Sequence, residues 1–109
     1  MVILQGEIWW VDLGEPKGSR PVIVVQGDAF NRSGIATVLC VTLTTQLKWA
    51  EAPGNVLLSE KDTGLQRTSV ANVSQMVTVG RSALRERTGK LPKQKLELVL
   101  IGISLVLGR

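Results

Sequence analysis

The chemistry open to this chain is bounded first by what its residues cannot do. There is no histidine and a single cysteine, Cys40. Ser-His-Asp and Cys-His catalysis, and imidazole acid–base chemistry, are therefore unavailable. A zinc site, which needs close to four nitrogen or sulfur ligands, cannot be assembled. No GxxxxGK[ST] phosphate loop occurs, and Gly27 and Gly34 read as turn punctuation. An enzyme made from these residues must take much of its chemistry from the substrate. RNA supplies it, because the 2′-hydroxyl lies beside the phosphodiester and can attack it within the same molecule. The protein then has to position the backbone, stabilise charge on a phosphorane-like transition state and help two protons move. A guanidinium fork pairs bidentately with phosphate oxygens and suits the second task. Composition permits a ribonuclease of this kind without indicating one.

The elements that must carry such residues are mostly short β runs separated by turn chemistry. Gly6–Leu13 reads as a strand ended by Gly14, Pro16 and Gly18. Arg20–Gln26 reads as a second, with Pro21 tolerated at its opening position. Gly27–Gly34 is a turn or short helical loop, and Ile35–Leu43 a strongly apolar third strand. Residues 44–54 form a longer polar loop ending in Pro53-Gly54. Asn55–Ser59 is a strand, Glu60–Gly64 a turn, and Thr68–Val73 and Gln75–Val79 pair as closing strands. Trp9 and Trp10 must face opposite sides of the first strand. One belongs to the core and the other to a partly exposed surface where an indole can stack on a base. Alternation does not choose between them. Phe30 reads as a packing residue, and Cys40, inside an apolar strand, as a buried inert thiol.

The last segment changes period. Pro92 sits where a first helical turn tolerates it, and Leu96, Val99, Leu100, Ile103, Val106 and Leu107 recur at helical spacing. Leu98, Ile101 and Leu105 make a second stripe, so the helix is apolar nearly all round and expects burial on more than one side. In a 109-residue chain the second side is expected to meet another copy, giving a homodimer. The expected architecture is a single domain over residues 1–109, α+β and mainly β. Its core is a small curled sheet or barrel, with short helices and a C-terminal helix.

Charge is uneven. Residues 1–80 carry six basic and seven acidic side chains, and residues 81–109 carry seven basic and two acidic ones. Arg81, Arg85, Arg87, Lys90, Lys93 and Lys95 make most of the excess. Such a cluster fits contact with a polyanion, either nucleic acid or an acidic protein tail, and equally a solvated face beside a helix start. The opening MVILQGE has no basic n-region and no useful h-region. The apolar run 96–107 is interrupted and shorter than the ~20 residues of a membrane span. A cytoplasmic location with no membrane partner is expected, and the lone cysteine agrees with a reducing compartment.

Five pieces of the chain, in order, resemble the MazF/PemK toxin family. These are GEIWWVDLG at 6–14, SRPVIVVQGDAFN at 19–31, CVTLTTQLKWAEAPGNVLL at 40–58, TGLQRTSVANVSQMVTV at 63–79 and GKLPKQKLELVLIGISLVL at 89–107. The resemblance implies an SH3-like barrel of the CcdB/MazF/PemK kind, dimerised so that RNA channels form near the subunit interface. It implies a toxin–antitoxin role and metal-independent, sequence-selective cleavage of single-stranded RNA, with 2′,3′-cyclic phosphate and 5′-hydroxyl ends and no cofactor. It also implies a cognate antitoxin whose acidic, flexible tail occupies the channel.

By the same resemblance Arg20 matches the catalytic arginine and Thr44 the catalytic threonine, with Thr45 and Gln46 in the same loop. Ser19, Asn72, Ser74 and Gln75 fall where family members line the RNA path, and Trp49 is a candidate for base or antitoxin contact. Two departures stand out. Gly18-Ser19 runs straight into Arg20-Pro21 where members carry several extra residues. Ser74 also occupies a position where many have an acid, so no proton-transfer or base-reading role of that acid carries over. The competing reading is a CcdB-like gyrase-inhibiting toxin, or a non-cleaving RNA or antitoxin binder of the same fold.

Overall fold

The computed structural model describes residues 1–109. Runs rich in β-branched and aromatic residues form the strands, and Gly, Pro and Asn-containing segments break them. In chain order the elements are β1 (Glu7–Asp12), β2 (Ser19–Val24), α1 (Asp28–Arg32), β3 (Thr37–Thr44), a 3₁₀ turn (Leu47–Glu51), β4 (Val56–Leu58), α2 (Glu60–Thr63), β5 (Ser69–Gly80), a second 3₁₀ turn (Arg81–Ala83), β6 (Leu84–Lys90) and α3 (Lys93–Val106). The strands make one antiparallel sheet in the order β4-β5-β3-β2-β1-β6. This is the expected mainly-β curled sheet with a C-terminal helix.

The curl is drawn together by α2, which follows β4 at one edge and lies against β6 at the other. Ser59 and Asp62 form a reciprocal cap at its start: Asp62 N donates to Ser59 Oγ (3.2 Å) and Ser59 N donates to Asp62 Oδ2 (2.9 Å). At its end Gly64 is left-handed (φ 77°), and a Cβ there would overlap the carbonyl oxygen of Thr88 on β6. The Thr88 hydroxyl donates to the Thr63 carbonyl (2.9 Å) and locks this contact.

Pleating sorts the apolar residues into two cores. The inner one gathers Ile8, Ile23, Val41, Leu43, Leu58 and Ala71 beneath Val99 of α3; the outer one gathers Trp9, Val11, Val22, Val24, Val38 and Cys40. The tryptophan question is thereby settled. Trp9 is buried in the outer core, its indole N–H donating to Glu7 Oε1 (3.0 Å), while Trp10 is half-buried on the inner side. Helix α3 lays Leu96, Leu100 and Ile103 on the inner core. It crosses the 52–55 turn so closely that a Cβ at Gly102 would overlap the Gly54 carbonyl oxygen. Its other face leaves Leu98, Ile101 and Leu105 exposed.

Four expectations change. Phe30, expected to pack, stands exposed on α1. The two closing strands at 68–79 are one continuous strand, β5, paired with β3. Its register jumps from Val41↔Met76 to Thr42↔Asn72, so residues 73–75 bulge out of the ladder. The polar pair Ser74-Gln75 resembles a turn because it leaves the ladder, yet the strand resumes on both sides of it. Strand β6 was not expected. Its sequence LRERTGK lies at an edge, pairs only with β1, and so lacks an apolar alternation.

Four of the six cations in the basic cluster of the last third are engaged by neighbouring groups, although Arg85 and Arg87 stay more than half exposed. The Arg81 guanidinium donates to the Ile35 carbonyl (2.9 Å) and to that of Asn31, and Arg85 to the Ser82 carbonyl and Asp12. Arg87 pairs with buried Glu7 (3.0 Å), and Lys95 approaches Asp62 (3.7 Å). These contacts pin strands and turns and leave the charges at the surface.

Candidate functional site

A cleft of about 750 Å³ opens at one end of the concave face, a size within the range of ligand sites. Antiparallel pairing brings the end of β1, the start of β2 and the end of β3 to this place. Trp10↔Pro21 and Val11↔Arg20 are direct partners, and the β2–β3 ladder ends at Val22↔Thr42, with Arg20 and Thr44 each two residues beyond it on the two strands. Ser19, Arg20, Thr44, Thr45 and Gln46 line one side, Leu65, Gln66 and Arg67 another, with Trp10, Glu86 and Thr88 between them.

Arg20 is exposed, and its guanidinium makes one hydrogen bond, from Nη1 to the neighbouring Ser19 carbonyl (3.0 Å). No carboxylate pairs with it; the ion pairs of the chain use Arg85, Arg87 and Lys95. Most of its donors are thus free for a phosphate, the group a planar fork recognises best. Thr44 is half-buried, and its hydroxyl accepts the Gln46 N–H (3.1 Å), which sets the direction of the loop that follows. The charged side chains lining the cleft are Arg20, Arg67 and Glu86, a net charge of +1.

From this cleft a hydrogen-bonded polar band runs across the 3₁₀ turn to the β5 bulge. The Trp49 indole N–H donates to Gln46 Oε1 (3.3 Å). Asn55 Nδ2 donates to the Trp49 carbonyl (2.9 Å) and to Asn72 Oδ1 (3.4 Å), and Asn55 Oδ1 accepts from Val73 N (3.0 Å). The Ser74 hydroxyl donates to Asn72 Oδ1 (3.2 Å), and the Thr42 hydroxyl to the Gln75 carbonyl (3.3 Å). Of the residues singled out in the sequence, Ser19, Arg20, Thr44, Thr45 and Gln46 share the cleft. Trp49, Asn72, Ser74 and Gln75 do not line it; they sit along the band beyond. Trp49 is exposed, with the Lys48 ammonium 5.5 Å from its ring centre.

Sequence reasoning missed Gln66, Arg67, Glu86 and Thr88. The last two lie on the unexpected strand β6, and the first two in a loop with no distinguishing pattern. Elsewhere, no group of three or more Cys, Asp or Glu side chains gathers around a point that could hold an ion. Burial pushes the Cys40 thiol up to about 12, so this outer-core residue offers no thiolate near neutral pH.

Comparison with known proteins agrees with this fold. The pattern of the PemK-like, MazF-like toxin of type II toxin-antitoxin system matches residues 4–107. The chain is 42% identical over 112 aligned residues to Endoribonuclease MazF6 of Mycobacterium tuberculosis, covering 98% of each. It is 30% identical to Endoribonuclease EndoA of Bacillus subtilis over 114, covering 98% of this chain and 97% of that one. A solved endoribonuclease in complex with its cognate antitoxin from Mycobacterial species superposes with a TM-score of 0.84 at 27% identity, covering 97% of this chain and 95% of that one. With a family pattern spanning nearly its whole length, full-length relatives and the same fold, this chain belongs to the PemK-like, MazF-like toxins of type II toxin–antitoxin systems.

Proposed function

We propose that this chain is a metal-independent endoribonuclease that cuts single-stranded RNA at selected sequences. The RNA 2′-hydroxyl attacks the adjacent phosphorus, leaving a 2′,3′-cyclic phosphate and a 5′-hydroxyl. The observation that carries this reading is the Arg20 guanidinium, free of any carboxylate and lining the same polar cleft as Thr44. Arg20 grips the non-bridging oxygens and stabilises the charge they gain at the transition state. Thr44 steadies the same phosphate through its hydroxyl. Ser19, Thr45 and Gln46 guide the backbone beside them, and the band through Trp49, Asn72, Ser74 and Gln75 extends the path. The names of the relatives, endoribonucleases over their full length, support the same activity.

The test is incubation of the purified protein with a long single-stranded RNA in excess EDTA, followed by analysis of the new ends. Discrete fragments ending in cyclic phosphate are expected. Intact RNA, or cleavage that needs an added divalent ion, sinks the proposal and turns attention to the non-cleaving or gyrase-directed alternatives.

The partners proposed are a second copy and an acidic antitoxin. Exposed Leu98, Ile101 and Leu105 on α3 support the homodimer, since so apolar a face is poorly placed in water. A monomer mass in light scattering at low micromolar concentration overturns it. The antitoxin follows from the family and from the solved relative in complex with its cognate antitoxin. Its acidic tail competes with RNA for Arg20 and Arg67. No helix is long and apolar enough to cross a membrane, and the proposed place of action is the cytoplasm, with the whole chain acting as one domain.

A further inference from the structure

We propose that Trp10 and Glu86 form a subsite for one nucleobase of the substrate, selecting bases that carry an exocyclic amino group and rejecting uracil. The inference rests on the reading of the cleft as an RNA site and names what one part of it reads.

Trp10 and Glu86 are direct partners across β1 and β6, so they stand on one face of the sheet and both line the cleft. At such a position side chains are neighbours, with Cβ atoms about 4.5–5.5 Å apart. The pair sits beside a register shift between Trp10 and Val11, a device that re-aims side chains at functional sites. Trp10 is half-buried, so its ring is held while part of it stays open to the cleft. An indole held in this way is a platform on which any base can stack.

Glu86 supplies the choice among bases. It is exposed, and unlike Glu7, Asp12 and Asp62 it has no cationic partner and no hydrogen bond within the chain. An unpaired carboxylate in a cleft that receives phosphates repels the RNA backbone, and an acceptor contact to a base edge offsets that repulsion. An ionised carboxylate accepts hydrogen bonds and donates none. Cytosine, adenine and guanine each offer amino N–H groups on an accessible edge, and guanine adds a ring N–H beside its amine. Uracil has a single ring N–H flanked by two carbonyl oxygens, which the carboxylate repels. Unstacked bases in single-stranded RNA are read on these edges.

The experiment measures binding by fluorescence polarisation of labelled 2′-O-methyl uridine decamers with one central uracil, cytosine, adenine, guanine or hypoxanthine. These strands cannot be cut, because the 2′-oxygen has no proton to lose. The wild-type protein is expected to favour at least one amino-bearing base over uracil by about five- to 150-fold, the range of a good base-edge contact. In Glu86→Gln, which keeps the shape but replaces one acceptor by a donor, that ratio is expected to fall to within about twofold, with binding of the all-uridine strand not weakened. Cytosine, adenine and guanine arms identify the base. A hypoxanthine strand that binds like uridine where guanine binds tightly assigns the contact to the guanine amine.

Uridine bound as tightly as every amino-bearing base by the wild type overturns the inference, and so does an unchanged ratio in Glu86→Gln. If the protein cuts RNA in EDTA with no such preference, this inference fails alone. A protein that neither binds any strand nor cuts RNA fails the nuclease reading as well.

Discussion

The concave face of the sheet ends in two ways. At one end α3 lies over Ile8, Ile23, Val41 and Val73 and touches the 52–55 turn backbone to backbone through Gly102 and Gly54. At the other end the same strands present Trp10, Pro21 and Leu43 to an open polar cleft with an unpaired guanidinium on its rim. The covered end holds the fold and offers no reactive group. The open end offers charge and hydroxyls and contributes little packing. Adjacent stretches of the same three strands thus hold the packing and the proposed chemistry separately, and the two should respond separately to substitution.

The sharpest way to break that separation is Arg20→Ala. Losing one preorganised donor to developing charge costs ~2.7–4 kcal/mol of transition-state stabilisation, about a hundred- to thousandfold in rate. Single-turnover cleavage of a labelled RNA should fall by that much while the thermal midpoint stays put, because the side chain is exposed and bonded only to its neighbour. Arg20→Lys should recover little, since an ammonium lacks the planar fork. A folded Arg20→Ala protein cutting at the wild-type rate places the chemistry elsewhere.

Gly102→Ala is the converse. The new methyl has no room against the Gly54 carbonyl, and forced overpacking costs ~1–3 kcal/mol. Chemical denaturation should show that loss, while the rate per folded molecule is unchanged. A rate that falls with the stability means the two ends are coupled through the sheet.

Thr44→Ala should be intermediate. It removes a neutral hydroxyl that both faces the cleft and orders the Gln46 loop, and a hydrogen bond of this type contributes ~0.5–1.5 kcal/mol. Rate should drop by roughly two- to tenfold, and Thr44→Ser, which keeps the hydroxyl, should be milder. A Ser variant as slow as the Ala variant assigns the effect to packing of the methyl group.

The smallest effect belongs to the boundary between the two regions, where the Thr68 hydroxyl donates to Glu60 Oε1 (2.8 Å) and ties α2 to the loop bordering the cleft. This bond holds the Glu60 carboxyl below its usual value. A lowered folded-state value stabilises the protein above the unfolded carboxylate range, and the benefit is lost as pH falls through the folded value. Thr68→Ala should therefore be slightly less stable than the wild type at neutral pH, and the gap should close on acidification. Melting curves at both ends of that range check the sign.

The same division explains what the sequence discloses. The apolar strands and α3 are legible because burial imposes a period that can be read directly. The cleft is legible only in part. Arg20 and Thr44 stand out through family resemblance, and their nearness follows from a register that the two segments cannot state separately. Glu86 and Thr88 were missed because β6 lies at an edge beside a charged surface and carries no apolar alternation. The β5 bulge was misread because a local loss of pairing has the same composition as a turn. The positive tail is legible only as a count, since residue counts do not show that Arg81, Arg85 and Arg87 are also engaged by carbonyls and carboxylates nearby.

The small helix α2 has a consequence for how this chain behaves in a crowded solution. An antiparallel sheet with two free edges invites strands of other molecules to add to it. Here one outermost strand is only three residues long, and the turn that leaves it comes to rest on the other outermost strand, with Gly64 against Thr88 and the Thr88 hydroxyl on the Thr63 carbonyl. The α2 contact at Thr88 obstructs that edge to an intruding strand. Growth of one molecule onto the next by edge pairing is disfavoured, and association is directed instead to side-chain surfaces such as the outer stripe of α3. A concentrated stock should accordingly resist forming thioflavin-binding aggregates, and Gly64→Val, by prising α2 away from β6, should bring them on.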